Sequence, residues 1–414
     1  MVRKSFMFIA GETSGDMLGA ELVPLIRERI TDFEARATED PQPLRASLEP
    51  VFFGAGGPRM AAAGVDLAFD LTQHAVVGLW EVLRHYCQFR RLFVQLFRLA
   101  ITRQPDAIVC IDFSGFNLRF GRALRKYVRS LQGTFGNWEP KIIQYISPQV
   151  WASRPGRAHW LASNFDLLLS VFPFEREWYA IRAPKLQVEF VGHPIADRYP
   201  ARKLGKFETG ASGSAPRLVL LPGSRTGELQ RHLPALLGAL DRIRSEKPAV
   251  AACLVLPNEA LVRLAQTFRL PASLEVRTGG LADVLRQADV AIASTGTVTL
   301  ECAFFGVPTV ALYKTSWSTY QIGKQLLQVK FLAMPNLLAG QEVFPEFIQG
   351  RATAENISRA ALELLNNPER RDGIRSQLAR IIKSLGEPGA SARAAQAIVS
   401  LVEGRPEPLR AWLG

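Results

Sequence analysis

Cysteine is scarce in this chain of 414 residues. The four cysteines, none of them in a CxxC pair, are Cys87, Cys110, Cys253 and Cys302. This usage is typical of a reducing compartment and predicts neither a disulfide framework nor a cysteine-held metal site. The motifs HExxH, GxSxG and GxxxxGK[ST] are also missing, which argues against metalloproteases, α/β-hydrolases and P-loop NTPases.

Long apolar runs are missing as well. A membrane-spanning helix needs about 20 consecutive apolar residues, and no segment of the sequence offers them. The apolar run near the amino terminus is too short for a signal peptide and continues directly into a glycine-bearing turn. The sequence therefore predicts a cytoplasmic protein without a membrane span.

Positive charge is in excess, with a net charge of +12 and a pI near 9.8. Basic proteins bind nucleic acid, anionic membrane surfaces or phosphorylated substrates. A hydrophobic content of 48% and a charged content of 21% are typical of folded globular proteins. A chain of this length is expected to form two domains.

Apolar strands alternate with helices along the whole chain, which predicts parallel sheets covered by helices. A strand, a glycine-bearing turn and a helix start occur together twice, at Ser5–Ala20 and at Arg217–Leu229. The free N–H groups and the helix dipole at such a turn attract anions. We therefore predict two α/β domains that face a shared cleft, in an enzyme that joins two ligands.

Composition also predicts the domain boundaries. Residues 1–198 form the first domain and residues 217–388 the second. Residues 199–216, between them, are rich in Gly, Ser and Lys and lack apolar periodicity, so we predict a hinge there. We also predict a helix within about 389–414, which could pack against the first domain.

The segment Gly78–Arg103 has no acidic residue after Glu81. As a helix it places a polar stripe with several arginines on one face and a wide apolar arc on the rest. Two interpretations stay open: a core helix with a basic solvent face, or a helix that contacts acyl chains and lipid phosphates. For the second, the predicted contacts are Trp80, Phe89, Phe93, Phe97, Arg91 and Arg98. A helical arrangement of aromatics does not favour RNA binding, so no nucleic-acid partner is predicted.

Two loops in the second half have the chemistry of anion sites. Gly223 makes a turn after an apolar strand, Ser224 is suited to cap the next helix, and Arg225 is placed to clamp an anion. The alternative is an ordinary capped helix with a solvated arginine. The second loop follows another apolar strand and consists of Thr295, Gly296 and Thr297.

Glu301 lies in the helix that follows this second loop. Its carboxylate could accept hydrogen bonds from both hydroxyls of a ribose, as acidic residues do in dinucleotide-binding folds. By itself such a glutamate is more often a solvated helix charge. Asn336 lies in a turn, Pro335–Gly340, that could close over a ligand.

In the first half, Asp112 ends a strongly apolar strand, where ligands of α/β proteins bind. It is the candidate general base, with capping of the following helix as the alternative. His193 follows another strand end and either lines the cleft or braces the domain junction.

Ten motifs of this chain, in order, resemble those of the lipid-A-disaccharide synthase family. They are AGETSGDMLGA (10–20), GAGGPRM (54–60), VVGLWEVL (76–83), PDAIVCIDFSGFNL (105–118), YISPQVWASR (145–154), FPFE (172–175), FVGHPIAD (190–197), LPGSRTGEL (221–229), STGTVTLE (294–301) and PNLLAG (335–340). The resemblance covers nearly the whole chain and implies a GT-B-type glycosyltransferase with two Rossmann-like domains.

The implied reaction joins UDP-2,3-diacylglucosamine to 2,3-diacylglucosamine 1-phosphate, with the β-1′,6-linked disaccharide 1-phosphate and UDP as products. The implied enzyme is an inverting one, without cofactor or metal, that is peripheral on the inner face of the inner membrane. A homodimer is left open. By motif, Asp112 matches the proposed base. The residues that match the sugar-nucleotide site are Gly223, Ser224, Arg225, Thr295, Gly296, Thr297, Glu301 and Asn336, and those assigned to the acceptor or cleft are Glu12, Ser14, Gly15 and His193.

Four positions depart from the family's pattern: Gly115, Ser153, Thr295 and Gln341. Gly115 replaces an acidic residue, which leaves Asp112 as the one carboxylate of its loop. Two other classes are alternatives to this interpretation: a UDP-N-acetylglucosamine 2-epimerase or lipid II transferase of the same fold, and an inactive membrane-docking scaffold. The helix suited to acyl chains and the first-half motifs argue against the former, and the retained Asp112, Arg225, Glu301 and Asn336 argue against the latter.

Overall fold

Seven parallel strands form the sheet of the first unit in the computed structural model, which describes residues 3–36, 49–74, 86–131, 133, 137–199 and 215–404. The sheet order is β3-β2-β1-β4-β5-β6-β7. The strands are β1 (Ser5–Ala10), β2 (Val51–Gly56), β3 (Asp66–Asp70), β4 (Ala107–Ile111), β5 (Lys141–Tyr145), β6 (Leu167–Ser170) and β7 (Gln187–Phe190). Its central strands are almost entirely apolar because helices cover both faces of a parallel sheet.

The helices of this unit connect successive strands. They are α1 (Thr13–Arg36), α2 (Pro58–Ala62), α3 (Tyr86–Arg103), α4 (Ser114–Ser130), α5 (Val150–Ser153), α6 (Arg157–Asn164), α7 (Pro173–Arg182) and α8 (Ile195–Arg198), with a 3-10 turn at Thr72–His74. Because the connections all cross from one parallel strand to the next, the carboxyl ends of the strands share one edge of the sheet.

The second unit contains a parallel sheet of six strands in the order β10-β9-β8-β11-β12-β13. The strands are β8 (Arg217–Leu221), β9 (Ala251–Leu256), β10 (Glu275–Thr278), β11 (Val290–Ser294), β12 (Thr309–Tyr313) and β13 (Glu346–Ile348). The helices are α9 (Thr226–Glu246), α10 (Glu259–Ala265), α11 (Leu281–Arg286), α12 (Thr297–Phe304), α13 (Trp317–Leu326), α14 (Met334–Ala339), α15 (Ala354–Asn366) and α16 (Pro368–Ser384), with a 3-10 turn at Gln349–Arg351.

The last described helix, α17 (Ala390–Val402), belongs to the first unit. The two units are Met1–Arg198 with Gly386–Gly414, and Tyr199–Leu385. Helix α17 packs against α1, where Ser391 Oγ donates to Glu21 Oε2 at 2.7 Å and Arg29 bonds to Gln396. Most of the predicted hinge, and the tail after residue 404, lie outside the described residues.

An aromatic seam joins α3 to α4. Its seven members are Phe89, Phe93 and Phe97 on α3, and Phe113, Phe116, Phe120 and Tyr127 on or beside α4. Phe93 lies edge-on to Phe116 and Phe120, with ring centroids 5.5 and 5.7 Å apart, and Phe97 is 5.8 Å from Tyr127. The phenylalanines of α3 are therefore half-buried against the core.

The predicted membrane helix is only partly described, from Tyr86 onward, and Trp80 lies outside the described residues. Arg91 and Arg98 are exposed, as predicted for either interpretation. The apolar side chains of α3 that form the seam are packed inside the protein. Membrane contact by Phe89, Phe93 and Phe97 therefore stays a prediction. In the described part of the chain, no helix combines the length and the apolar character needed to cross a membrane.

Candidate functional site

Asp112 lies at the carboxyl end of β4 in a strained conformation. Asp112 and Phe113 both have left-handed backbones, with φ of 48° and 43°. Such a conformation costs a non-glycine residue about 1 to 3 kcal/mol and is concentrated at functional sites. The Asp112 N–H donates to the carbonyl oxygen of Tyr145 at 2.9 Å, which ties the loop to β5.

Two buried side-chain amides donate hydrogen bonds to the backbone of this loop. Asn117 Nδ2 donates to the carbonyl oxygens of Ile111 and Asp112 at 3.2 and 2.9 Å. Gln144 Nε2 donates to the same Asp112 oxygen at 3.2 Å. Both side chains are completely buried. The sequence analysis missed them, although a glutamine inside the apolar strand KIIQY was a usable signal.

Burial, and then the negative charge of the Glu12 carboxylate, together raise the pKa of Asp112 to about 6. The two acids come close because β1 and β4 are parallel neighbours and both side chains follow the strand ends. A carboxylate with a pKa near neutrality accepts a proton more readily than an ordinary aspartate does. These properties are compatible with a general base, and that role of Asp112 stays a prediction.

The first glycine loop is shaped by close contacts. A Cβ at Gly11 would lie 2.3 Å from the Phe113 ring, and a Cβ at Gly15 would lie 3.3 Å from Ala10. Ser14 is exposed, whereas Asp16 is buried and accepts backbone hydrogen bonds from Gly57, Arg59 and Met60. Asp16 thus joins α1 to the start of α2, a role that the sequence analysis missed.

His193 is held as a neutral ring. Burial, and then the charge of Arg198, lower its pKa to about 3. Its Nδ1 accepts a hydrogen bond from the Ile195 N–H at 3.1 Å, and its ring lies 5.6 Å from that of Phe172. These contacts hold the start of α8. The two roles left open by the sequence, lining the cleft and bracing the domain junction, both stay predictions.

In the second unit, the turn after β8 uses Gly223 at a φ of 114°. Ser224 does not cap α9, because the cap residue is Arg225 and no side chain bonds there. This corrects the predicted cap. Instead Glu228 Oε2 accepts from the Ser224 N–H at 3.0 Å, and Glu228 Oε1 lies 3.3 Å from Arg225 Nη1. The loop therefore presents backbone N–H groups and a half-exposed arginine around one carboxylate.

A buried histidine, His232, fixes this turn from α9. Its Nδ1 lies 2.7 Å from the carbonyl oxygen of Pro222, and its Nε2 accepts from the Lys314 N–H at 2.8 Å. The ring therefore carries its proton on Nδ1, and burial lowers its pKa. His232 joins the end of β8 to the end of β12, and no sequence motif had indicated it.

The second predicted loop follows β11, the neighbour of β8, so the two loops share one sheet edge. Thr295 and Gly296 are half-buried and Thr297 is exposed at the start of α12. Gly296 has a φ of 123°, which only glycine adopts easily. Thr299 Oγ1 donates to the Gly296 carbonyl at 2.6 Å and accepts from the Met334 N–H at 3.2 Å.

Glu301 is half-buried one turn into α12. The hydroxyl of Tyr199 donates to Glu301 Oε1 at 3.2 Å, and the Tyr199 ring packs on Phe304 and Phe305 at 5.5 and 5.0 Å. The glutamate is therefore oriented by a defined neighbour and is not simply a solvated helix charge.

Asn336 requires a correction. Its Nδ2 donates to Phe344 O and Glu346 Oε2, and its Oδ1 accepts from the N–H groups of Val343 and Phe344. The side chain is completely buried and its hydrogen-bonding capacity is used within the protein. We therefore revise its predicted role from ligand contact to positioning of the loop before β13.

The described residues contain no group of three or more His, Cys, Asp or Glu side chains arranged to hold a metal ion. Apart from His193 and Asn336, the described candidate residues outside α3 follow the carboxyl ends of two neighbouring central strands in each unit, β1 with β4 and β8 with β11. This is where parallel α/β sheets bind their ligands.

Comparison with known proteins gives the family. A sequence model described as Lipid-A-disaccharide synthetase matches residues 6–401. The lipid-A-disaccharide synthase of Geobacter metallireducens is 35% identical over 404 residues, 96% of this chain and 97% of that protein. The synthase of Myxococcus xanthus is 32% identical over 401 residues, with the same coverage.

Two solved structures are similar in fold. UDP-GlcNAc 2-epimerase from Neisseria meningitidis, bound to UDP-GlcNAc, aligns with a TM-score of 0.56 at 10% identity and covers 97% of this chain and 100% of that one. CalG4, the calicheamicin glycosyltransferase, aligns with a TM-score of 0.57 at 15% identity, covering 99% and 100%. Both support the predicted GT-B fold. With the family match over residues 6–401, this chain belongs to the lipid-A-disaccharide synthetase family, the hexosyltransferases of lipid A biosynthesis.

Proposed function

We propose that this glycosyltransferase joins UDP-2,3-diacylglucosamine to 2,3-diacylglucosamine 1-phosphate through a β-1′,6 linkage. Family membership already implies a sugar nucleotide and a glycolipid as substrates. The observation that carries the finer proposal is the Asp112 loop, where a carboxyl group with a pKa near 6 is fixed at a strand end beside Glu12.

Asp112 acts as the general base of the transfer. Its carboxylate removes the proton of the acceptor's 6-hydroxyl as that oxygen attacks the anomeric carbon of the donor sugar. The new bond forms opposite the bond to the diphosphate, which breaks and releases UDP with inversion at the anomeric carbon. The strained backbone of Asp112 and Phe113, supported by Asn117 and Gln144, limits the motion of the base.

The leaving diphosphate is stabilised by the second unit. Arg225 and the N–H groups of the Gly223 and Gly296 loops supply positive charge without a metal ion. The half-exposed Arg225 forms an ion pair with Glu228 that a diphosphate would replace. Such an exposed pair is worth less than about 1 kcal/mol, so its loss is a small cost. Glu301 accepts from the ribose hydroxyls of UDP.

The enzyme meets its acylated substrates at a membrane surface. We assign it to the cytoplasmic face of the inner membrane, bound peripherally through the exposed arginines of α3, including Arg91 and Arg98. A homodimer is part of the proposal, and light scattering measures it directly.

One experiment tests the proposed reaction as a whole. The purified protein is incubated with both lipid substrates, and the products are analysed by mass spectrometry. We expect a disaccharide 1-phosphate and UDP, formed only when both substrates are present. Epimerisation of the sugar nucleotide without transfer would contradict the proposal.

A further inference from the structure

We propose that Arg119, Arg154 and Arg157 form a binding site for the phosphate monoester of the acceptor sugar. This inference rests on the proposed function, because it assigns the acceptor's 1-phosphate to residues of the first unit. None of these arginines was assigned a role from the sequence.

A row of arginines runs along the face of α4 that meets α6. Arg129 Nη2 donates to the carbonyl oxygen of Ser163 at 2.9 Å. One turn closer to the start of α4, Arg125 forms an ion pair with Asp166 at 2.5 Å. After a further turn, the Arg122 guanidinium lies over the Trp160 ring, 4.4 Å from its centroid. The two helices therefore run in the same direction, and each of these arginines has a partner on or just after α6.

The next arginine in the row is Arg119, and its neighbours are two further arginines, Arg154 and Arg157, in place of a partner of the kind that the other three have. Residues three apart share a helix face, so the Arg119 side chain extends the row toward the first turn of α6, where Arg157 lies. Arg154 precedes that turn, and its carbonyl accepts from the Arg157 N–H at 3.0 Å. In the described part of the chain, no hydrogen bond, ion pair or ring contact engages the side chains of Arg119, Arg154 or Arg157.

The positive charges of Arg154 and Arg119 repel that of Arg157. Burial, and then the charges of Arg154 and Arg119, lower the pKa of its guanidinium. Like charges that approach each other without an acid between them destabilise the folded protein. A dianionic phosphate monoester reverses this unfavourable interaction, because guanidinium groups bind phosphate through paired, charge-assisted hydrogen bonds.

The position of the cluster matches the acceptor. Helix α4 begins two residues after Asp112, and α6 begins beyond the end of β5, the strand beside β4. The cluster and the candidate base therefore lie at the same edge of one sheet. At 1.5 Å per residue, Arg119 is about 7 Å along α4 from its first residue. In glucosamine 1-phosphate the phosphate is on C1 and the 6-hydroxyl is on the carbon attached to C5, so the two groups lie several ångströms apart and can contact two different places along this edge.

The test compares two acceptors, 2,3-diacylglucosamine 1-phosphate and the same lipid without its phosphate, in detergent micelles. We expect Arg119→Gln and Arg157→Gln each to lower kcat/KM for the phosphorylated acceptor by about 10- to 100-fold. With the acceptor that lacks phosphate, the variants should equal the wild type, and KM for the sugar nucleotide should not change. Lys126→Gln, an exposed charge elsewhere on α4, is the matched control and should behave as the wild type.

Three outcomes overturn the inference. An equal loss with both acceptors would mean that the arginines only support the fold. Full activity in micelles combined with weaker binding to phosphatidylglycerol vesicles would assign the cluster to membrane phosphates. Unchanged kinetics of both variants in every assay would mean that these arginines do not bind the phosphate. If the wild type forms no disaccharide with either acceptor, it is the proposed function that fails, and the two failures are therefore distinct.

Discussion

At the scale of single residues, Asp112 is the proposed general base. We expect Asp112→Asn to lower turnover by two to four orders of magnitude, because an amide cannot accept the proton of the attacking hydroxyl. Initial rates with both lipid substrates measure this effect. Asp106→Asn is the control, since Asp106 lies at the other end of β4 and bonds to Ser5. Near-normal turnover in Asp112→Asn would reject the assignment.

The raised pKa of Asp112 also predicts how activity and stability depend on pH. Only the ionised form is a base, so kcat/KM should fall as the pH drops through about 6. Stability should change in the opposite direction, because the folded state binds this proton more tightly than the unfolded state does. The stabilising effect of the proton is present at low pH and is lost as the pH rises through about 6.

The same substitution therefore has a second measurable consequence. At pH 7.5, Asp112→Asn removes a poorly solvated charge and should raise the free energy of unfolding by up to about 3 kcal/mol. Urea unfolding followed by circular dichroism measures this change. A variant that is inactive and less stable than the wild type would point to a structural role for the carboxylate.

Glu301 is the residue proposed to hold the ribose. We expect Glu301→Ala to weaken UDP binding by roughly 1.5 to 3 kcal/mol, the value of hydrogen bonds to a charged group. Calorimetry measures the affinity. Tyr199→Phe removes the hydroxyl that orients Glu301 but leaves the carboxylate, so its effect should be smaller. Unchanged UDP affinity in Glu301→Ala would place the glutamate outside the site.

At the scale of secondary-structure elements, the aromatic seam changes what α3 is expected to do. Phe93 and Phe97 contact Phe116, Phe120 and Tyr127. We therefore expect Phe93→Ala to lower the free energy of unfolding by about 2 to 4 kcal/mol, near the range for phenylalanine in a core. Chemical denaturation measures it, and a change below 0.5 kcal/mol would mean that the ring is not part of the core.

Membrane binding by α3 is better tested through its charges. Arg91 and Arg98 are exposed, so their replacement by glutamine leaves the seam intact. Each is worth about 1 kcal/mol near an anionic surface, and the double variant should bind anionic vesicles about 30-fold more weakly at low salt. Flotation with phosphatidylglycerol vesicles measures this. Full binding by the double variant would move the membrane contact elsewhere.

At the scale of the whole molecule, charge distribution bears on metal dependence. The sequence has no DxD motif at a strand end, and the proposed source of positive charge for the diphosphate is Arg225 with the N–H groups of two loops. We therefore expect full turnover after thorough EDTA treatment. An absolute requirement for Mg²⁺ would refute this expectation, and Arg225→Gln should lower turnover whether or not Mg²⁺ is added.

The alternation of strand and helix was readable from the sequence because buried parallel strands are continuous apolar runs. β1, β4, β8 and β12 begin and end where the apolar runs do. β3 and β13 do not stand out as apolar runs, since β3 has an aspartate at each end and β13 is only three residues long. Both are edge strands, which have a neighbouring strand on one side only, and their sequences are therefore less continuously apolar than those of central strands.

Local sequence determined where Asp112, Arg225 and Glu301 lie, because each follows an apolar strand or begins a helix, and that pattern involves only neighbouring residues. Tertiary structure decided what each residue contacts. Asn336 and His232 have hydrogen bonds to residues 7 to 82 positions away, and Arg119 comes beside Arg157 only because α4 and α6 pack together. Such contacts depend on how distant segments pack, and the periodicity of a sequence depends only on residues that are close along the chain, so it does not predict them.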